Sequence, residues 1–218
     1  MRALLLSLLA AWSLACGAAP FAVRLGEVRV VLDAPAGFAD TLELGSPRLL
    51  ELAQALTSAS NRILLFALTD GDLRRFSTGD TPALQRYLLV ATPRATLGDS
   101  LGLSDFESRL AEFERSLGKR AGDGDVRALL GEQPVGGTLI LRELRRTPVL
   151  LSTLSATRLP PREEGEIEVL LHTTTLMLVR GKLLSVSAYT VGHSGAEEAW
   201  LLELTQRWTE ELQRLNAR

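Results

Sequence analysis

The chain has 218 residues, 46% of them hydrophobic and 23% charged, with a formal net charge of −2 and a single cysteine. A chain of this size and apolar content can bury a core without covalent staples, and one thiol excludes a disulfide framework. Its basic residues form no block, which excludes the electrostatic footprint of a nucleic-acid binder.

Residues 1–18 read as a secretory signal peptide. Arg2 supplies the positive start, Ala3 to Leu14 is an apolar run too short to span a bilayer, and Ala15, Gly17, Ala18 and Ala19 are small. Cleavage after Ala18 leaves a mature start of Ala19-Pro20-Phe21 and discards Cys16. The alternative makes Cys16 the lipid-bearing first residue of a membrane-tethered lipoprotein, because Ser13-Leu14-Ala15-Cys16 resembles a bacterial lipobox. Ser13 stands where that motif usually carries Leu, so cleavage after Ala18 is the expectation taken forward. It predicts a periplasmic or secreted protein whose residues 19–218 form one domain. No later stretch reaches the roughly 20 apolar residues of a transmembrane helix.

The first predicted strand is Glu27 to Leu32, closed by the turn residues Asp33-Ala34-Pro35-Ala36-Gly37. Ser46-Pro47 starts a helix, with Ser as N-cap and Pro first, and Leu49, Leu52, Ala53 and Leu56 form its stripe. Ile63 to Leu68 has no polar alternation and reads as a central strand covered on both faces, followed by a second such strand at Tyr87 to Ala91. Ser104-Asp105-Phe106-Glu107 reads as a capping box. The helix behind it carries Phe106, Leu110, Phe113 and Leu117 on one face and ends at Gly118. Ala121 to Asp125 reads as a loop.

After residue 137 the pattern is strand. Leu139 to Leu144, Val149 to Leu154, Ile167 to Val179 and Leu183 to Val191 follow in order. The last two flank Gly181-Lys182, read as a two-residue hairpin loop. That register sets Met177 against Val186 and Thr175 against Ala188, and it puts His172 on the face that carries Thr174 and Tyr189. A closing helix opens at Ser194 with the stripe Trp200, Leu201, Leu204, Trp208, Leu212 and Leu215. Grouped strands joined by hairpins predict an α+β fold with a largely antiparallel sheet flanked by amphipathic helices.

Pro35-Ala36-Gly37-Phe38, the meander containing Val179-Arg180-Gly181-Lys182 and the Trp-containing last helix resemble, in their order, PsbP/Mog1-type α/β/α sandwiches. The stretches AVRLGEVRVVLDAPAGFADT and LTSASNRILLFALTDGDLRRF are similar to a group of exported bacterial proteins of unknown function. The first resemblance implies an accessory surface and the second an exported, single-domain protein, with no catalytic residue to carry over.

Gly192-His193-Ser194-Gly195-Ala196 has the outline of a nucleophile elbow. That fold places its acid and histidine after the serine, and this chain has neither an Asp nor a His beyond Ser194. Ser194-Gly195-Ala196-Glu197 reads instead as a capping box. With two histidines far apart and no ligand spacing, the sequence calls for no metal and no cofactor. Asp70-Gly71-Asp72 and Asp123-Gly124-Asp125 lack the series of an EF-hand loop, and residues 131–138 lack the lysine of a phosphate loop.

The remaining candidates are for binding. Asp70, Asp72, Arg74, Arg75 and Asp80 follow the most buried strand, where binding loops hang on a rigid scaffold, and Asp70 there reads as a helix cap. His172 and Tyr189 share a strand face. The sequence therefore predicts a non-enzymatic binding or accessory module of the cell envelope, with an envelope protein as partner. The alternative is a small-molecule binder or hydrolase using a cleft near His172 and Tyr189.

Overall fold

A computed structural model of the chain describes residues 19–116, 120–121, 125–161 and 167–217. The signal-peptide reading, Cys16, the helix end at Leu117-Gly118 and the acidic pair of Asp123-Gly124-Asp125 fall wholly or partly outside those residues. The fold is α+β. Strands β1 (Phe21–Leu25) and β2 (Val28–Leu32) pair as a two-stranded ribbon. Seven others form one sheet: β3 (Phe38–Asp40), β4 (Asn61–Thr69), β5 (Arg86–Pro93), β6 (Thr138–Thr147), β7 (Leu150–Leu159), β8 (Glu168–Val179) and β9 (Lys182–Val191). Their spatial order is β3-β4-β5-β9-β8-β7-β6, every pair antiparallel. The helices are α1 (Pro47–Ala55), α2 (Asp70–Ser77), α3 (Leu103–Ser116), α4 (Val126–Gly131) and α5 (Gly195–Leu215). No described helix is long and apolar enough to cross a membrane.

The period-2 alternation of the central strands sends two apolar sets to opposite faces. On one face Leu88, Val90, Leu184, Val186, Met177 and Leu154 join Leu201, Leu204, Trp208 and Leu212 of α5 and the inward side of the β1–β2 ribbon. This is the principal core, and the stripe expected on α5 supplies it from Trp200 to Leu212, while Leu215 lies outside the cluster. The other face is covered in two pieces. Leu49 and Ala53 of α1, with Leu73 and Phe76 of α2, pack on Phe66, Leu68, Tyr87 and Leu89. Phe106 and Leu110 of α3 pack on Leu151, Leu176 and Leu183.

Local chemistry departs from expectation in four places. The hairpin loop is Arg180-Gly181, since Val179 pairs with Lys182. Both loop residues have positive φ, 51° and 75°, as a type I′ turn requires. Every pair therefore shifts by two, which keeps the faces but sets Met177 opposite Leu184 and His172 opposite Tyr189. The shift draws Lys182 into β9, where it is 3% exposed. Its ammonium donates to the carbonyl of Leu97 at 3.0 Å and to that of Asp99.

The second departure is at α3, which starts one residue before the expected cap, so Ser104 lies inside it. The Asp105 carboxylate instead accepts from the N–H of Gly102 at 3.0 Å. At α1, Pro47 opens the helix as expected, but the Ser46 hydroxyl makes no cap bond. Lastly, α2 is capped by Thr69, whose hydroxyl accepts from the N–H of Asp72 at 3.2 Å, not by Asp70. By contrast, Ser194 makes the full capping box of α5. It accepts from the N–H of Glu197, whose carboxylate takes the Ser194 N–H at 3.1 Å.

Candidate functional site

On the face opposite α5, one row of cross-strand neighbours runs Leu68–Tyr87–Tyr189–His172–Ser155 over β4, β5, β9, β8 and β7. The rings stand off the sheet and stack along it. Tyr87 and Tyr189 have centroids 4.4 Å apart and planes 8° apart, and His172 follows at 5.5 Å. Phe66 meets Tyr87 edge-on at 6.4 Å. Four rings on four strands thus form a ladder, each contact contributing about 1 kcal/mol beyond its burial.

His172 ends the ladder. Its Nε2 is 3.2 Å from the Thr157 hydroxyl, which in turn lies 2.7 Å from that of Thr138. Nδ1 is buried and meets no hydrogen-bond partner among the described residues. Burial pushes the imidazole from its ordinary 6.5 down to about 4, so the ring is neutral at physiological pH. Burial also raises both phenols, Tyr87 and Tyr189. The arrangement suits a neutral, hydrogen-bonding wall. It does not suit a general base, which needs a pKa near the working pH and a group to orient it.

Beside this wall, α2 divides the acidic and basic candidates by depth. Leu73 and Phe76 join the cluster that holds Tyr189. Asp72 is buried at 5% exposure and accepts the N–H of Ala83 at 2.6 Å, closing the loop that leads into β5. Asp70, Arg74, Arg75 and Asp80 are exposed. Neither the Arg74 nor the Arg75 guanidinium has an ion pair among the described residues, while Arg48 of α1 lies 5.2 Å above the Phe76 ring. The structure therefore brings Tyr189 and His172 together and sets α2 beside them, with Asp72 used by the fold and the two arginines turned to solvent.

A second opening, not expected from the sequence, lies on the α5 face. A crevice of about 360 Å³ separates α5 from the edge strand β6, with Leu144, Leu150 and Leu202 as apolar walls and Ser152, Thr205 and Thr209 on its floor. Two ion pairs cross from strand to helix, Arg142–Glu198 at 2.5 Å and Arg145–Glu210 at 3.6 Å. In a regular strand residues three apart face opposite ways. Here β6 breaks register between Ile140 and Arg142 and again between Glu143 and Arg145. These bulges turn both arginines toward α5, while Glu143 and Arg146 go to the other face, where Arg146 pairs with both Glu143 and Glu114 of α3. The signal was present as a charged, non-alternating run, Arg142-Glu143-Leu144-Arg145-Arg146, and as Thr205 and Thr209 interrupting an apolar helix stripe.

No family model matches the chain, and no curated protein matches it significantly.

Proposed function

We propose that the protein is an exported component of the cell envelope that works as a binding or accessory module, with α2 as the partner-facing surface. The observation that carries this reading is the setting of His172. The side chain with the widest chemical reach is stacked on Tyr189, held neutral, and hydrogen-bonded to a threonine hydroxyl. Ser194, the other catalytic candidate, is engaged in a helix cap. The exposed, unpaired Arg74 and Arg75 supply charge for an acidic patch on a protein partner. Export is supported by the position of β1: cleavage after Ala18 leaves the first strand, Phe21–Leu25, whole.

The test is site-specific photo-crosslinking in intact cells, with the crosslinker placed at Ser77 on the exposed side of α2. The reading expects one discrete adduct with an envelope protein, lost in Arg74→Glu/Arg75→Glu and retained in His172→Phe. The alternative, a small-molecule binder or hydrolase with a cleft at His172 and Tyr189, expects the reverse. His172→Phe would then abolish function, and the arginine pair would be dispensable.

A further inference from the structure

We propose that the crevice between α5 and β6 binds a small amphipathic zwitterion, a free amino acid with an apolar side chain. The inference goes beyond the partner surface on α2 and concerns the opposite face of the sheet.

Three features converge on this ligand. The first is a donor pair for a carboxylate. Arg145 and Ser152 are direct cross-strand partners, and the bulge at Glu143/Arg145 puts them on the same face. Ser152 is 4% exposed and shares a 2.8 Å bond with the fully buried Thr175 hydroxyl. The two hydroxyls hold two protons and their mutual bond uses one. With Thr175 donating, the O–H of Ser152 is left for an acceptor in the crevice it lines. The neighbouring hydroxyls are already committed: Thr205 donates to the Leu201 carbonyl at 2.8 Å, and Thr209 to that of Thr205 at 2.8 Å.

The second feature is an anion one helical step away. Glu210 lies 3.6 Å from Arg145, and the two side chains are 51% and 44% exposed. An ion pair this long and this solvated holds little energy, so a ligand can replace it. A zwitterion does so without stranding either charge: its carboxylate takes Arg145 and Ser152, and its ammonium takes Glu210. Gln206 lies one turn before Glu210 and donates to its carboxylate at 3.3 Å, which steadies that acceptor. The shorter Arg142–Glu198 pair remains as the strap between strand and helix.

The third feature is the wall. Leu144, Leu150 and Leu202 offer an apolar surface, and about 360 Å³ accommodates an amino acid of leucine size. A ligand of one charge, or one without an apolar side chain, uses only part of this arrangement.

The test is isothermal titration calorimetry of the purified protein with L-leucine, 4-methylpentanoate and 3-methylbutylamine. The proposal expects L-leucine to bind and each single-charge analogue to bind at least tenfold more weakly. Arg145→Gln and Glu210→Gln, both at exposed positions, are expected to weaken L-leucine by tenfold or more. Arg109→Gln, on α3 across the sheet, leaves binding unchanged. No heat from L-leucine at millimolar concentration overturns the site. Equal binding of either analogue, or unchanged binding in Arg145→Gln, overturns the zwitterion assignment. None of these results depends on the crosslinking at α2, so the two proposals fail separately.

Discussion

The side-chain amide of Asn216 pairs with Val31 as a strand residue would. Its Oδ1 accepts the Val31 N–H at 2.9 Å, and its Nδ2 donates to the Val31 carbonyl at 2.7 Å. The same Nδ2 reaches the Leu212 carbonyl at 2.9 Å, so one buried amide joins the end of α5 to the ribbon 185 residues earlier. Asn216→Asp removes both donations and turns a carboxylate toward two carbonyls. Each buried group left unpaired costs about 1–3 kcal/mol. Thermal unfolding of Asn216→Asp should show a Tm lower by roughly 5 °C or more, whereas Arg207→Ala, at an exposed position of the same helix, should not.

His172 makes stability fall in mild acid. Its folded-state pKa of about 4 lies below the 6.5 of the unfolded chain, so the unfolded state takes up a proton first. The contribution is therefore complete above pH 6.5, declines as pH drops from 6.5 to 4, and totals roughly 3 kcal/mol. Urea titrations at pH 7.5, 5.5 and 4.5 should show that decline in the wild type and a shallower one in His172→Phe. Parallel curves for the two proteins would mean that the ring titrates normally.

Gly181→Ala tests the hairpin loop. A Cβ there lies 2.6 Å from the Ser100 hydroxyl, and φ of 75° is already unfavourable for alanine. The substitution should cost about 1–3 kcal/mol. Adding Ser100→Gly should recover only the contact, leaving the backbone cost of about 1 kcal/mol.

Ser194 should behave as a cap. Ser194→Ala is expected to lose about 1 kcal/mol and Ser194→Asp almost nothing, since aspartate caps as well as serine. A fluorophosphonate probe that labels activated serines should leave the intact mass unchanged. A labelled protein would return Ser194 to the list of nucleophiles.

Why some of this was legible in the sequence and some was not follows from particular residues. The faces of β8 and β9 follow from period-2 alternation, but alternation cannot tell one register from another shifted by two. The actual register depends on Arg180 accepting a left-handed conformation and on carbonyls of Leu97 and Asp99 being in place for Lys182, which are non-local facts. Strand β1 is as long as β2 but begins only three residues past the expected cleavage point, and β3 has three residues and holds through Asp40, whose carboxylate accepts from Phe66 N–H at 3.1 Å. The Ser194 cap and the α5 stripe were readable because both are local. Of the candidate site, the shared face of His172 and Tyr189 was visible in the hairpin, but the expected register set Thr174, not His172, opposite Tyr189. Its extension to Tyr87 and Phe66 required the β4-β5-β9 order. The crevice depends on bulges in β6, which shift the period without leaving a turn residue to mark them.

The most direct test of the account is the intact mass of the protein purified from the envelope fraction. The expected value is that of a chain starting at Ala19 and carrying no addition. A start at Cys16 with the added mass of a diacylglycerol and an acyl chain would contradict the expected cleavage and make the protein a tethered lipoprotein. A mass that retains residues 1–18 would contradict export by signal-peptide cleavage, and with it the envelope role proposed here.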